Sequence, residues 1–223
     1  MWSKIIQNFK RCCHFLSPFL PRYCLLCLRC TEREIELCQL CEEFLPWLTE
    51  ADQCDLPGLP ANTRLQALFD YQWPLDNFIK QFKFDGKLHF APLLAKLMAQ
   101  HFPHPGAIDM IIPVPLHPKR QQSRGFNQCG ELAKILSKTL NLPVAPWSCR
   151  KISQAPAQAL LSAQKRKINV REQDFLIDPA LRGKQVLVIE DVVTTGATIR
   201  AFSHALFSAG VARVVIWSCC RTR

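Results

Sequence analysis

Two groups of residues in this sequence have the types and spacing to do chemistry. The first closes the run VLVIEDVVTTGAT, residues 186–198, where an apolar stretch gives way to two adjacent acids, Glu190 and Asp191, and then to Thr194, Thr195, Gly196, Ala197 and Thr198. The nearly continuous apolar run 184–189 reads as a strand buried on both faces, as strands of parallel sheets are. In open parallel sheets, ligands bind at the carboxyl ends of the strands. Small hydroxyl residues leading into a helix bring backbone N–H groups and the positive end of the helix dipole to one place, which suits a phosphate. Gly196 lets the backbone come close, and the threonine hydroxyls add donors. The carboxylates repel a phosphate but suit sugar hydroxyls or a hydrated Mg2+. Together these residues are shaped for a phosphorylated sugar.

The second group is Cys24-x-x-Cys27 and Cys38-x-x-Cys41, two pairs separated by ten residues. Each pair places two thiolates on one side of a tight turn. Four sulfurs complete a tetrahedral set for zinc, with no open position for a catalytic water, so the metal would be structural. An iron–sulfur cluster is the other metal reading. Cys30 and His14 stand close enough to substitute as ligands, and Cys54 less readily. A cytosolic chain keeps its thiols reduced, so paired spacing there points to metal rather than disulfides. Cys12-Cys13 and Cys219-Cys220 lack that pattern and read as small buried or half-buried residues.

The elements that must position these groups follow from periodicity. Residues 75–84 carry Leu75, Phe78, Ile79 and Phe82 at helical spacing, and residues 90–98 predict a second helix with Pro92 in its first turn. Residues 110–112 form a short strand ended by Pro113-Val114-Pro115. A basic loop follows, then a helix over 126–140 with Leu132, Ile135, Leu136 and Leu140 on one face. After the threonine loop a helix runs to about residue 209 and stops at Gly210. Residues 212–218 are another apolar strand. Strands alternating with helices mean a parallel α/β sheet with right-handed crossovers. Before all this, residues 55–62 (DLPGLPAN) read as a linker after a Cys-rich segment without regular period.

The chain has 223 residues, 48% of them hydrophobic, enough to bury a sizeable core and to exclude disorder over most of its length. Its net charge of +10 is unevenly placed. Residues 119–171 hold eleven Lys or Arg against the single acid Glu131, and the rest balances at seventeen of each sign. That segment is either a solvated basic surface or the place of an anionic partner. Residues 1–9 are amphipathic, and the apolar stretch 15–28 is broken by Pro18, Pro21 and Arg22, so no signal peptide or membrane span is expected and the location is cytoplasmic.

The run VLVIEDVVTTGAT resembles the phosphoribosyl-pyrophosphate (PRPP) loop of the type I phosphoribosyltransferases. The order of paired C-x-x-C ribbon, IIPVPLHPKRQQSRGFNQ (111–128), AQALLSAQKRKINV (157–170) and this loop is similar to the ComF/GntX family, phosphoribosyltransferase-like proteins linked to natural competence and the use of external DNA. The likeness covers nearly the whole chain from Cys24, and Arg124-Gly125-Phe126-Asn127-Gln128 is its most specific element.

The resemblance implies an α/β parallel sheet of type I phosphoribosyltransferase type over residues 64–223, with a four-cysteine zinc ribbon over 20–55. It implies catalytic roles for Glu190, Asp191, Lys119, Arg120 and Arg124, and a pyrophosphate loop of Val114, Pro115, Leu116 and His117 extending to Lys119. It further implies a phosphate cradle of Thr194 to Thr198, and a flap bearing Gln158, Arg166 and Asn169. Ser162 in that flap serves equally as a helix cap. Glu190 stands where many members of the wider superfamily carry Asp, with the carboxylate retained. Zn2+ would sit on Cys24, Cys27, Cys38 and Cys41, and Mg2+ would accompany PRPP. The acceptor would meet the ribbon and the helices of residues 64–98. There Tyr71, Trp73 and Phe84 are available to stack on a base, or are core aromatics at helical spacing. The implied activity is transfer of a phosphoribosyl group to an unknown acceptor. Its alternative is a non-catalytic sensor of PRPP or nucleotide that docks DNA-uptake proteins. Direct contact with single-stranded DNA through the basic segment is a third possibility, although no aromatics are interleaved with the bases.

Overall fold

The computed structural model describes residues 22–50, 56–152 and 171–222. Gln158, Ser162, Arg166 and Asn169 of the expected flap lie outside these residues, as do Cys12, Cys13, His14 and Cys54. The chain divides into two compact units, the first ending at Leu45 and the second beginning at Pro46.

The first unit holds a two-stranded antiparallel ribbon, β1 (Arg22–Tyr23) and β2 (Cys30–Thr31), and a short helix α1 (Gln39–Glu43). So small a unit has little apolar surface to bury. Cys24, Ile35, Leu37 and Leu45 form its interior.

The second unit is built on four parallel strands in the order β3-β8-β7-β4: β3 (Thr63–Asp70), β4 (Met110–Pro113), β7 (Gln185–Val193) and β8 (Arg213–Arg221). Helices α2 (Leu75–Phe84), α3 (Phe90–Gln100), α4 (Pro118–Arg124), α5 (Gln128–Leu140) and α6 (Ala197–Ser208) connect or cover them. A small antiparallel pair, β5 (Cys149–Lys151) and β6 (Phe175–Ile177), flanks the sheet. The sheet is therefore the parallel α/β arrangement that the alternation of elements predicts. Strands β7 and β8 occupy its centre and are apolar on both faces. Val186, Val188, Val214 and Ile216 join Ile199, Phe202 and Leu206 of α6 in one cluster, while the alternate residues Leu187, Ile189 and Val215, equally buried, face the other side.

Several features depart from the sequence reading, the antiparallel pair β5 and β6 among them. Strand β3 is not anticipated by it, although Thr63, Leu65, Ala67 and Phe69 alternate with Arg64, Gln66 and Asp70. Residues 46–48 run antiparallel beside it, Leu48 N–H donating to Leu68 O at 3.0 Å and Asp70 N–H to Pro46 O at 2.8 Å. Both central strands outrun the expected ends: β7 continues through Val193 and β8 through Arg221, because the two stay paired to Val193↔Arg221. Cys219 and Cys220 are accordingly buried strand residues. Finally, the basic loop is shorter than expected. Pro118 starts α4, His117 caps it by accepting the Lys119 N–H at its Nδ1, and Gly125, at φ 80, ends it in the left-handed region where a Cβ is costly.

Candidate active site

The extension of β7 sets the site. Glu190 and Asp191 lie within the strand rather than beyond it, 8% and 6% exposed. Each carboxylate is held from below by main chain: Asp191 N–H donates to Glu190 Oε1 at 3.1 Å, and Val192 N–H to Asp191 Oδ1 at 2.6 Å. Cys129, at the start of α5, donates its S–H to Glu190 Oε1 at 3.2 Å. Lys83, near the end of α2, places Nζ 2.8 Å from Asp191 Oδ1.

Burial and the neighbouring Asp191 charge push the Glu190 carboxyl up to about 8, against the pull of Lys83. Glu190 therefore retains its proton near neutrality and can donate as well as accept a hydrogen bond. Burial alone would lower the Lys83 ammonium, yet its pairing with Asp191 raises it, so the ion pair persists at neutral pH. Burial holds the Cys129 thiol far above its usual range, with the two acids adding to the effect, and it is a proton donor rather than a nucleophile.

Beyond the acids, Gly196 at φ 72 turns the chain into α6. Thr195 Oγ1 accepts from Ala197 N–H at 3.4 Å, and Thr194 and Thr195 are exposed at the mouth of the turn. A cavity of about 310 Å3 joins these parts. Glu190, Asp191 and residues 194–198 line one part of it, Val114 to His117 another, and Arg120, Arg124, Asn127, Gln128 and Lys151 a third. The size is that of a small-ligand pocket.

Of the residues singled out by sequence, the structure brings together Glu190, Asp191, Arg120, Arg124, Val114, Pro115, Leu116, His117 and Thr194 to Thr198. Lys119 is exposed on α4, outside the cavity lining. Trp73 and Phe84 are 68% and 70% exposed, which removes them from the core; the Arg124 guanidinium lies over the Phe84 ring at 5.1 Å. Tyr71 is half-buried. Sequence reasoning missed Lys83, Lys151, Gln128 and Cys129. For Lys83 a signal existed: it stands four residues after Ile79 and eight after Leu75, on the apolar face of α2, where a lysine has no structural reason to be. Lys151 stands on a strand too short to read from periodicity.

In the first unit the four sulfurs of Cys24, Cys27, Cys38 and Cys41 all lie within 4.8 Å of one another. Cys27 Sγ and Cys38 Sγ are 3.7 Å apart, close to the edge of about 3.8 Å of a tetrahedron with 2.3 Å metal–sulfur bonds. Burial opposes ionisation of Cys24, but the backbone N–H groups of Cys38, Cys27 and Leu26 outweigh it and hold the thiol down at about 6. The set can hold a metal ion. Cys30 sits exposed on β2 and is not one of the four.

The profile of the phosphoribosyl transferase domain matches residues 89–222. The chain belongs to the phosphoribosyl transferase family. It is 32% identical over 210 residues to the DNA utilization protein YhgH of Escherichia coli K12, covering 89% of this chain and 90% of that protein. It is 27% identical over 206 residues to Competence protein F of Haemophilus influenzae, covering 88% and 90%. These relatives place it in the competence-protein (ComF) branch of the family. Among solved structures, it is similar to the glutamine PRPP amidotransferase of B. subtilis, 20% identical with a TM-score of 0.39, over 56% of this chain and 25% of that one. Among the described residues, no helix of this phosphoribosyltransferase-type domain or of the ribbon is long and apolar enough to cross a membrane.

Proposed function

We propose that this chain binds PRPP and transfers its phosphoribosyl group to an acceptor in the use of imported DNA, as a cytoplasmic competence-type protein. One observation carries the reading: a single cavity joins the buried acids in the last half of β7, the glycine-threonine turn before α6 and four cations, Lys83, Arg120, Arg124 and Lys151. The turn suits a terminal phosphate. Asp191 and Glu190 suit the ribose hydroxyls, one as acceptor and the other able to donate. Arg120, Arg124 and Lys151 gather positive charge where a diphosphate would leave as the bond from the ribose carbon breaks. The protein's share of the chemistry is then positioning and neutralisation.

The acid pair fits a dedicated Mg2+ cage less well than it fits hydroxyls, because Asp191 is matched by Lys83 and Glu190 keeps its proton. Mg2+ would arrive on the diphosphate and supply charge neutralisation there. In the ribbon, the four thiols fit Zn2+, which would hold the small unit together.

The exposed Leu28, Leu40 and Phe44 of the ribbon favour a second reading, a PRPP-sensing adaptor that docks protein partners through that unit. Calorimetry of PRPP with Mg2+ against wild type and Asp191→Asn tests the first step common to both. Binding weakened by the substitution is expected, and no heat with either protein would refute a sugar-phosphate site. Release of pyrophosphate on adding nucleobase acceptors then separates enzyme from adaptor.

A further inference from the structure

The run Arg124-Gly125-Phe126-Asn127-Gln128 joins α4 to α5, and its side chains are arranged around one amide. Gln128, the first residue of the 13-residue helix α5, is 2% exposed and lines the cavity. Its Oε1 accepts from Arg124 Nη1 at 3.1 Å. A guanidinium only donates, so the atom facing it must be the oxygen, and the orientation of the amide is thereby fixed. The Nε2 end then has no hydrogen-bond partner among the described residues. A buried donor left unmatched is costly and rare, and on a residue that lines a cavity it calls for a ligand atom, which reaches the solvent-closed Nε2 with a small shift of the cavity wall.

The surroundings define that atom. Asn127 caps α5, its Oδ1 accepting from Cys129 N–H at 3.1 Å, and its Nδ2 donates to Val114 O at 3.0 Å, fastening the helix start to the 114–117 loop. The amide thus sits at the positive end of a helix dipole, beside Arg124 and with Arg120 on the same cavity wall. The ligand atom it awaits is anionic oxygen. The cavity therefore has two anion ends, each at a helix N-terminus: α6 with its threonine turn, and α5 with Gln128.

Resting on the PRPP reading above, we infer that Gln128 is a specificity-determining residue: its amide N–H donates to the diphosphate of the ligand, and selects sugars bearing a diphosphate over those with a terminal phosphate alone. Arg124 is the positioning residue that aims the amide.

The test uses the full chain and two substitutions. Gln128→Glu keeps an acceptor for Arg124 and removes the donor by changing one atom. Gln128→Met removes the donor without adding charge. Dissociation constants for PRPP with Mg2+ and for ribose 5-phosphate are measured by calorimetry, alongside melting temperatures. Both variants are expected to weaken PRPP by about tenfold or more, the worth of a hydrogen bond to a charged group. Gln128→Met should leave ribose 5-phosphate within about threefold of wild type, because its single phosphate binds at the far end. Equal weakening of both ligands, or of neither, overturns the inference and leaves PRPP binding standing. A sharp fall of melting temperature in both variants would assign the amide a structural role and overturn it as well. If wild type binds neither ligand, the PRPP reading itself fails and the inference with it.

Discussion

Lys83 Nζ lies 2.8 Å from Asp191 Oδ1, so a cation from α2 neutralises the second of the two acids that end the apolar core of β7. The pair is shielded, with side chains 19% and 8% exposed, and a charge left alone there would be poorly solvated. Lys83→Met should therefore destabilise the protein by about 2 kcal/mol, below the value for a fully buried pair because Lys83 keeps some contact with water. The double substitution Lys83→Met/Asp191→Asn should recover most of that loss in urea unfolding, since no charge is then stranded. Strictly additive losses would show that the pair is not coupled.

Glu190 gives a pH dependence of definite sign. Its carboxyl titrates at about 8 when folded, against an ordinary 4.5. Between those values the folded state binds more protons than the unfolded state, so this residue makes stability fall as pH rises. The contribution is fully present below pH 4.5 and lost as pH climbs through 8, at no more than about 1.4 kcal/mol per pH unit. Glu190→Gln keeps an oxygen for the Cys129 thiol and cannot ionise. It should match wild type at about pH 5 and exceed it at about pH 8.5 in urea unfolding, and parallel curves for the two proteins would contradict the shifted carboxyl.

What the sequence made legible was whatever is local. The glycine-threonine turn, the acids beside it and the doubled C-x-x-C spacing all lie within short stretches, and the structure gathers each set as spacing implies. The strand ends were not legible, because β7 and β8 extend each other by pairing, and neither alone shows how far its partner continues. Nor was Lys83, whose partner Asp191 is more than a hundred positions along the chain. Only its place on the apolar face of α2 hinted at a buried counter-charge. Gln128 stood inside the most recognisable motif, but its unmatched amide exists only once Arg124 has fixed which end is oxygen.

Gly196 is held by two constraints that substitution can separate. Its φ of 72 disfavours any side chain, and an added Cβ would lie 2.6 Å from Leu56 Cδ1, inside contact distance. Gly196→Ala should cost about 1 kcal/mol for the backbone plus a comparable amount for the clash. Adding Leu56→Ala should relieve the second part and leave the first. The melting temperatures of the single and double variants measure this, and a pair no better than the sum of its parts would mean that Leu56 does not restrict the turn.

The ribbon makes a prediction about which thiols matter. Four sulfurs converge within 4.8 Å, while Cys30, the first residue of β2 and in sequence an equally placed ligand, stays exposed outside the set. The protein purified without chelator should release about one equivalent of zinc per chain when its thiols are titrated with a mercurial, as a closed four-thiolate site requires. Cys30→Ser should release the same amount. Cys41→Ser should hold less zinc and lose it readily to a chelator, because three thiolates leave the ion open to competitors. Since so small a unit depends on its metal more than on its core, metal loss should also expose the segment around Ile35 and Leu37 to protease. Equal zinc loss from both variants would assign Cys30 to the metal and require a rearranged ribbon.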